Sequence, residues 1–429
     1  MSPADMGNTQ CGLIPVHQLN NEGLMVNRVV ITGMGVMSSI GVGKGPFWEG
    51  CIQGKSGIRP ISGFDTSRLS SKLGGQLPDI DFRQYIKPAN LRRMDRIGRI
   101  VVSAVKMALD DSGLELENED PDRVGIMVGT GLGSSKSVDL YYRGLIEEGP
   151  TGATPLLFQT AVPNSICSHS SLELGIRGIN TTFSHKEASV ESAIVFAFHL
   201  LRKGDAQVIF VGGGDEISEP LYHVYATMGS LSPQKSPFPE GMRPFDAHRN
   251  GFALGEGSGV LVMEELGHAR QRRARIYGEV LSHGLTGSNC GILNYDKGGD
   301  FLSRAMAKAA GGRRVDYICA AANSTRDLDV AETRAIKATF GPEARTIRIS
   351  SIKSMIGEFD GSGGLRACAA LLAIYHGVIP PTINYSASDP DCDLDYTPNE
   401  AREQEIGTAL LNGFSNGGSN ISILFGKYG

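Results

Sequence analysis

No stretch of this 429-residue chain approaches the roughly 18 consecutive apolar residues that a membrane-spanning helix requires, so a helical membrane protein is excluded. An excess of charge is missing too. The formal net charge is −5, from 41 Lys and Arg against 46 Asp and Glu, and this leaves no electrostatic footprint for nucleic acid. Residues 1–23 lack both a basic start and an apolar stretch of about 7 to 15 residues, which argues against a secretory signal. Residues 1–25 are therefore expected to form a disordered or irregular arm. The seven cysteines (Cys11, Cys51, Cys167, Cys290, Cys319, Cys368, Cys392) are odd in number, scattered and never arranged as CxxC, so neither a disulfide framework nor a metal site is expected. No low-complexity linker divides the chain, and no internal repeat is visible. What is present, 41% apolar and 20% charged residues with 56 glycines, is the composition of a soluble globular protein, expected to be cytoplasmic. The length suffices for a large core, with two or three domains as a first expectation.

Short β-branched runs alternate with amphipathic helical stretches, the pattern of a layered α/β protein. RVVITGMGV (residues 28–36) predicts a buried strand. Ile97, Val101, Ala104, Val105 and Ala108 follow helical spacing, with Gly113 as a left-handed stop, and a strand follows at residues 123–128. A second helix is predicted over 188–203, ending at Gly204, before a continuous apolar strand at 207–211 of the kind covered on both faces. Further strands are expected in GSGVLVMEE, VDYICA and TIRIS, then a helix over 366–376 closed by Gly377, the segment VIPPTIN, and strands near 408–412 and 420–425.

Three segments carry the chemistry: SSIKSMIGEFDGSGG (residues 350–364), FSHKEAS (183–189) and YICAAANSTRDLD (317–329). With ITGMG, RPFDAHRNGFALGEGSG (243–259), VIPPTIN and NGFSNGGSN (412–420), they occur in an order that resembles the β-ketoacyl-acyl carrier protein synthases from about Val26 to Tyr428. The likeness is greatest to the chain length factors, the ketosynthase β subunits that lack the Cys-His-His triad. The resemblance implies a thiolase-like α/β fold, five layers α-β-α-β-α built from two pseudo-duplicated halves, here residues 26–267 and 268–429. It also implies dimerisation beside the nucleophile position. In such enzymes a cysteine thiolate takes an acyl group from a carrier protein, and two histidines support decarboxylation of the malonyl extender and the attack that follows.

None of those three side chains is present. Glu187 stands at the cysteine position, while Ala321 and Glu358 stand at the histidine positions. A glutamate titrates about 4 units below a free cysteine, so moving an acyl group from thiol to carboxylate runs uphill by roughly 5 kcal/mol. Ala321 offers no donor, a loss commonly worth about 3 kcal/mol at an oxyanion site. Lys353 matches the family's lysine, but the acidic partner fourteen residues on is Ala367, which leaves Glu358 as the candidate partner. Two carboxylates meeting in one pocket are expected either to share a proton or to be held apart by Lys353. One outcome is a salt-bridged filler. The sharper one is a Glu187 that assists decarboxylation or pairs with a carrier-bound chain.

Other candidates are weaker. GTGLGSS (129–135) imitates a phosphate-binding turn but lacks the acidic residue about 20 positions on, and GEGSG (255–259) reads as close backbone packing. His185, two residues before Glu187, is a conceivable base but more simply an interface histidine, and Cys319 is more simply a buried hydrophobe than a nucleophile. By resemblance, Phe158, Gln159, Val162, Phe414 and Asn416 belong to the acyl channel, with Asn416 replacing a gating aromatic. Arg68, Lys72, Arg92, Arg93, Arg96 and Arg99 offer a basic surface to an acidic carrier protein, or only a solvated helix face. No cofactor is expected beyond the phosphopantetheine that arrives on that carrier. The leading expectation is a non-condensing subunit paired as a heterodimer with a catalytic ketosynthase homologue, serving polyketide, polyene or fatty-acid-like synthesis. The alternatives are an independent malonyl-carrier protein decarboxylase or acyltransferase using Glu187, and a purely structural carrier-binding homologue.

Overall fold

All ten residues of Val29–Ser38 are buried, and this strand (β1) is the line along which the two halves of the molecule join. The computed structural model describes residues 17–19, 25–235 and 237–429. After β1 come Val124–Gly129 (β2), Asn180–Phe183 (β3), Val208–Asp215 (β4) and Gly257–Glu265 (β5), which lie side by side in the order β1-β5-β4-β2-β3. β5 runs antiparallel to both β1 and β4, whereas β4, β2 and β3 are mutually parallel. The second half repeats this plan. Its strands are Gly278–Gly287 (β6), Tyr317–Cys319 (β7), Arg348–Ser350 (β8), Thr408–Phe414 (β9) and Ser419–Gly426 (β10), and they stand in the order β6-β10-β9-β7-β8. Antiparallel pairing again links the first three and parallel pairing the rest. Gly278–Val280 pairs with Val29–Ile31 to join the two sets into one sheet of eleven strands, which also includes the short Gly41–Val42.

Helices fill the spaces on a matching plan. Arg96–Ser112 (α1) covers β1 and β5 from outside. Its Asp95 cap accepts from the Gly98 N–H at 2.9 Å, and Gly113 closes it at φ 62°. Ser189–Lys203 (α2) lies against β2 and β4, Asp300–Ala310 (α3) packs on β6 and β10, and Arg326–Phe340 (α4) packs on α3. Gly363–His376 (α5) packs on β5, β9 and α2, so that α2 and α5 form the central layer of five. β1, β2 and β4 are buried throughout because helices cover both faces, which is why their sequences read as continuous apolar runs. Where α5 meets β5 the backbones nearly touch: a Cβ on Gly259 would lie 2.2 Å from the Gly364 carbonyl carbon. The Arg366 guanidinium of α5 pairs with Glu191 of α2, and both side chains are fully buried.

The predicted strands and helices are present with ends shifted by at most four residues, and GSGVLVMEE is matched residue for residue. VIPPTIN, to which no element was assigned, is mostly irregular. Val378–Ile379 pairs with Arg402–Glu403 and Thr382 bridges Pro398, and the two prolines between them lack the N–H a continuous ladder needs. Of the arm expected over residues 1–25, most lies outside the described residues, but His17–Leu19 is not irregular: it pairs antiparallel with Met25–Asn27. The division expected after residue 267 falls within a short helix, Leu266–Gln271, and the second half's sheet begins at Gly278. Among the described residues no helix is long and apolar enough to cross a membrane.

Candidate active site

β3 ends at Phe183 and the chain turns sharply before entering α2. Lys186 makes that turn at φ 49°, a left-handed conformation that costs a non-glycine residue about 1 kcal/mol or more. The turn delivers Glu187, 6% exposed, just ahead of the N-terminus of α2. Its Oε1 accepts from the Tyr295 hydroxyl at 3.1 Å and from Asn416 Nδ2 at 2.9 Å, while its buried Oε2 has no partner. Asn416 is itself held through its other end, since Oδ1 accepts from Lys186 Nζ. Burial first, then the charge of Glu358, push the Glu187 carboxyl up to about 7.

Glu358 is positioned by the short helix Lys353–Ile356 and by Gly357 at φ 85°, and its backbone is pinned to Ala253 and Gly255. Lys353 Nζ donates to both of its oxygens, at 2.9 and 2.8 Å, with the two side chains 1% and 5% exposed. This pair engages the ammonium whose charge acts on Glu187. Glu187 is left outside the pair, held by neutral donors.

The space in front of these groups is open. A cavity of about 690 Å³ is lined by Glu187, Glu358, Tyr295 and Asn416. Asp215, Glu216 and Asp360 reach it as well. Asp215 accepts from the Thr130 hydroxyl at 2.7 Å and from the Gly131 and Gly361 N–H groups at 3.0 and 2.6 Å, yet burial still lifts it to about 6. Burial and then Asp95 raise Glu216 to about 8, and its Oε2 has no partner. Asp360 rests against Gly131, and burial followed by the charge of Glu187 raises it strongly. Ile217, Leu221, Val224, Met228 and Phe252 make the apolar wall. The glycine-rich turn is used here, with Gly131, Leu132, Gly133 and Ser135 at the rim. Among the described residues no group of three or more His, Cys, Asp or Glu is placed to hold a metal ion.

The remaining candidates fall in different places. Ala321 is fully buried, and the N–H groups of Ala321 and Ala322 are tied to Glu332 at 3.0 and 2.8 Å. Phe414 is not at the cavity wall; at the end of β9 it packs into the apolar core of the second half. Phe158 and Val162 are 61% and 45% exposed, Gln159 is exposed beside them, and none lines this chain's cavity. His185 does not share the pocket of Glu187. Its exposed ring meets the Ser192 hydroxyl at 2.9 Å. Cys319 is fully buried, its thiol pushed up to about 11 by burial. The basic group divides: Arg68, Arg92 and Arg93 are exposed, Lys72 folds onto the Thr66 and Ser67 carbonyls at 3.0 and 2.9 Å, and Arg96 pairs with Glu256. Arg99 Nε donates to the Met94 carbonyl at 3.0 Å.

Sequence reasoning missed Tyr295, Asp215, Glu216 and Asp360. The last three carried a signal, because Asp215 and Glu216 end a buried strand and Asp360 lies two residues beyond Glu358. Tyr295 carried none, since it comes from an irregular loop 108 residues away from Glu187.

Duplicated sheets around two buried helices, with a strained turn feeding one of them, define a thiolase-like protein. The chain matches the β-ketoacyl synthase N-terminal domain over residues 26–269 and the C-terminal domain over residues 277–386. It is 37% identical to 3-oxoacyl-[acyl-carrier-protein] synthase 2 of Synechocystis over 408 residues, 94% of this chain and 98% of the relative, and 34% identical to the Coxiella burnetii protein of the same name over 93% and 98%. Among solved structures it is similar to the ishigamide ketosynthase/chain length factor, with a TM-score of 0.88 at 32% identity, covering 94% of this chain and 99% of that one. A β-ketoacyl synthase from Burkholderia phymatum superposes at 0.84 and 29% identity, over 94% and 100%. The chain belongs to the β-ketoacyl synthase family.

Proposed function

We propose that this chain is a non-condensing ketosynthase-like subunit, a chain length factor, that pairs with a cysteine-bearing ketosynthase and shapes the tunnel in which that partner's acyl or polyketide chain grows. The observation that carries this reading is Glu187, a buried carboxyl half-satisfied by neutral donors at the point where the family's thiolate acts. With Ala321 and Glu358 at the other two positions, none of the three offers a thiol or an imidazole, and Lys353 is committed to Glu358. The similarity to the ishigamide ketosynthase/chain length factor supports the reading. So does a structure of a type II polyketide synthase acyl carrier protein in complex with its ketosynthase, similar at a TM-score of 0.86 and 27% identity over 94% and 99% of the two chains.

On this reading the edge strand β3 and the exposed Phe158, Gln159 and Val162 face the partner, where they line its acyl channel. Arg68, Arg92 and Arg93 meet an acidic carrier protein that delivers phosphopantetheine-bound chains in the cytoplasm. Co-expression with a cysteine-bearing ketosynthase tests this. A stable one-to-one complex that makes β-ketoacyl product, with neither subunit active alone, is the expected result; a homodimer that releases carbon dioxide from malonyl-carrier protein overturns it.

A further inference from the structure

Away from the cavity, two imidazoles from different halves of the chain meet at the surface. His199 comes from α2 and His283 from β6, 84 residues further on, and their Nε2 atoms stand 2.8 Å apart. His199 is exposed and His283 half-buried. The two rings cross at 63° with centroids 4.7 Å apart, and the Phe198 ring sits T-shaped against each, 5.6 Å from His283 and 5.9 Å from His199. Nδ1 of His283 is sealed from solvent and has no partner among the described residues, so Nε2 is the nitrogen this ring has left to meet a ligand.

The pair is kept neutral by its surroundings. Burial first and then the His199 ring push His283 down to about 4, and burial followed by the Arg202 charge lowers His199. In two neutral imidazoles that share this contact, one Nε2 carries a proton and the other is bare. Imidazole ligates a metal ion in its neutral form, so binding through both Nε2 atoms needs no proton to leave the pair, only the shift of one from Nε2 to Nδ1 of the same ring. The spacing suits such an ion. Two nitrogens in adjacent corners of a square or octahedron, each about 2.0 Å from the metal, stand about 2.8 Å apart, whereas tetrahedral ligands at that distance stand about 3.3 Å apart. The observed separation is that of the square edge. Arg202 is the cation that acts on both rings, and its guanidinium is drawn over the Phe198 ring, 5.1 Å from the centroid. Among the described residues no carboxylate acts on either ring, which leaves the other coordination positions to water.

We propose that His199 and His283 form a surface site for a divalent transition-metal ion of tetragonal geometry, held through both Nε2 atoms and completed by water, with copper(II) the ion it binds most tightly. The preference for copper(II) follows from the imidazole donors, the square-edge spacing and the general order of divalent-ion affinities. An ion bound there ties α2 of the first half to β6 of the second, and because the two ligands come together only in the folded chain, it stabilises the fold against unfolding. The site is separate from the cavity and stands whether or not the chain condenses acyl groups.

Titration of copper(II) into the full chain in a non-coordinating buffer near neutral pH, followed by electron paramagnetic resonance, tests it. The expected result is a tetragonal copper signal with hyperfine coupling to two imidazole nitrogens, saturating at one ion per chain, together with a rise in Tm when the ion is present. His199→Ala and His283→Ala are each expected to leave at most one of those nitrogens and to weaken binding at least tenfold. The His199 ring is exposed, so its removal leaves the core untouched, and circular dichroism of both variants before titration confirms that they are folded. A copper signal from the unaltered chain without two imidazole nitrogens overturns the inference, and that result depends on no variant. A two-imidazole signal that persists in both folded variants overturns it as well, because it would place the ion elsewhere.

Discussion

Asn416 donates from Nδ2 to Glu187 Oε1 at 2.9 Å while its Oδ1 accepts from Lys186, so the amide stands between an ammonium and a carboxyl that are neighbours in sequence. A direct Lys186–Glu187 ion pair would hold Glu187 ionised. The interposed amide supplies one neutral donor and leaves burial to set the titration. Asn416 thus fixes the carboxyl that borders the cavity.

Tyr295 supplies the other donor to Glu187, and a hydrogen bond to the charged form favours ionisation. Tyr295→Phe is therefore expected to raise the Glu187 midpoint further above 7, by roughly one pH unit. Carboxyl-carbon NMR of isotopically labelled glutamate checks this, and a midpoint moving downward would contradict the assigned geometry.

The raised Glu187 also makes a prediction about stability. Its folded midpoint of about 7 lies above the 4.5 of an unperturbed glutamate, so the folded state holds a proton that the unfolded chain releases first. The contribution is complete below pH 4.5 and is lost as pH rises through 7, an effect of up to about 3 kcal/mol for a shift of this size. Glu187→Gln, which cannot ionise, is expected to match the unaltered protein at pH 5 and to be more stable at pH 8.5. Urea denaturation at the two pH values measures the difference.

Lys353 and Glu358 form a pair almost wholly removed from solvent. Removing one partner leaves an uncompensated buried charge, so Lys353→Met is expected to cost about 3 to 5 kcal/mol. The double variant Lys353→Met with Glu358→Leu is expected to recover most of that loss. Denaturation midpoints for the single and double variants decide it. A double variant as unstable as the single would mean that the pair's shape, and not its charge, sustains the loop.

Much of the fold was legible because its strongest signals are local. The helix α1 announces itself through the spacing of Ile97, Val101, Ala104, Val105 and Ala108 and through Gly113, and the buried strands read as apolar runs. β6 was not legible: GEVLSHGLTG mixes glycine and polar residues, because only its first residues pair with β1 in the fully covered middle of the sheet. The duplication was hidden for a different reason. It lies in the order of strands, a long-range property that sequence periodicity does not carry. Glu187 and Glu358 were singled out by the motifs around them and both border the cavity, whereas Ala321 lies in the core behind it, and the acidity of the cavity arises from residues that folding brings together, among them Asp215, Glu216 and Asp360. Phe414 shows what a motif does not reveal. It sits in a motif beside the site, but as the last residue of β9 its side chain packs into the core of the second half.

The central claim is that the chain, lacking a thiol and imidazoles at Glu187, Ala321 and Glu358, cannot carry and extend an acyl group by itself. The most direct measurement incubates the pure chain with octanoyl-carrier protein and malonyl-carrier protein and follows both the intact mass of the chain and the product by mass spectrometry. The account predicts an unmodified chain and no β-ketoacyl-carrier protein until a cysteine-bearing ketosynthase is added. β-Ketoacyl product from the chain alone, or an octanoyl adduct on it, would contradict the account.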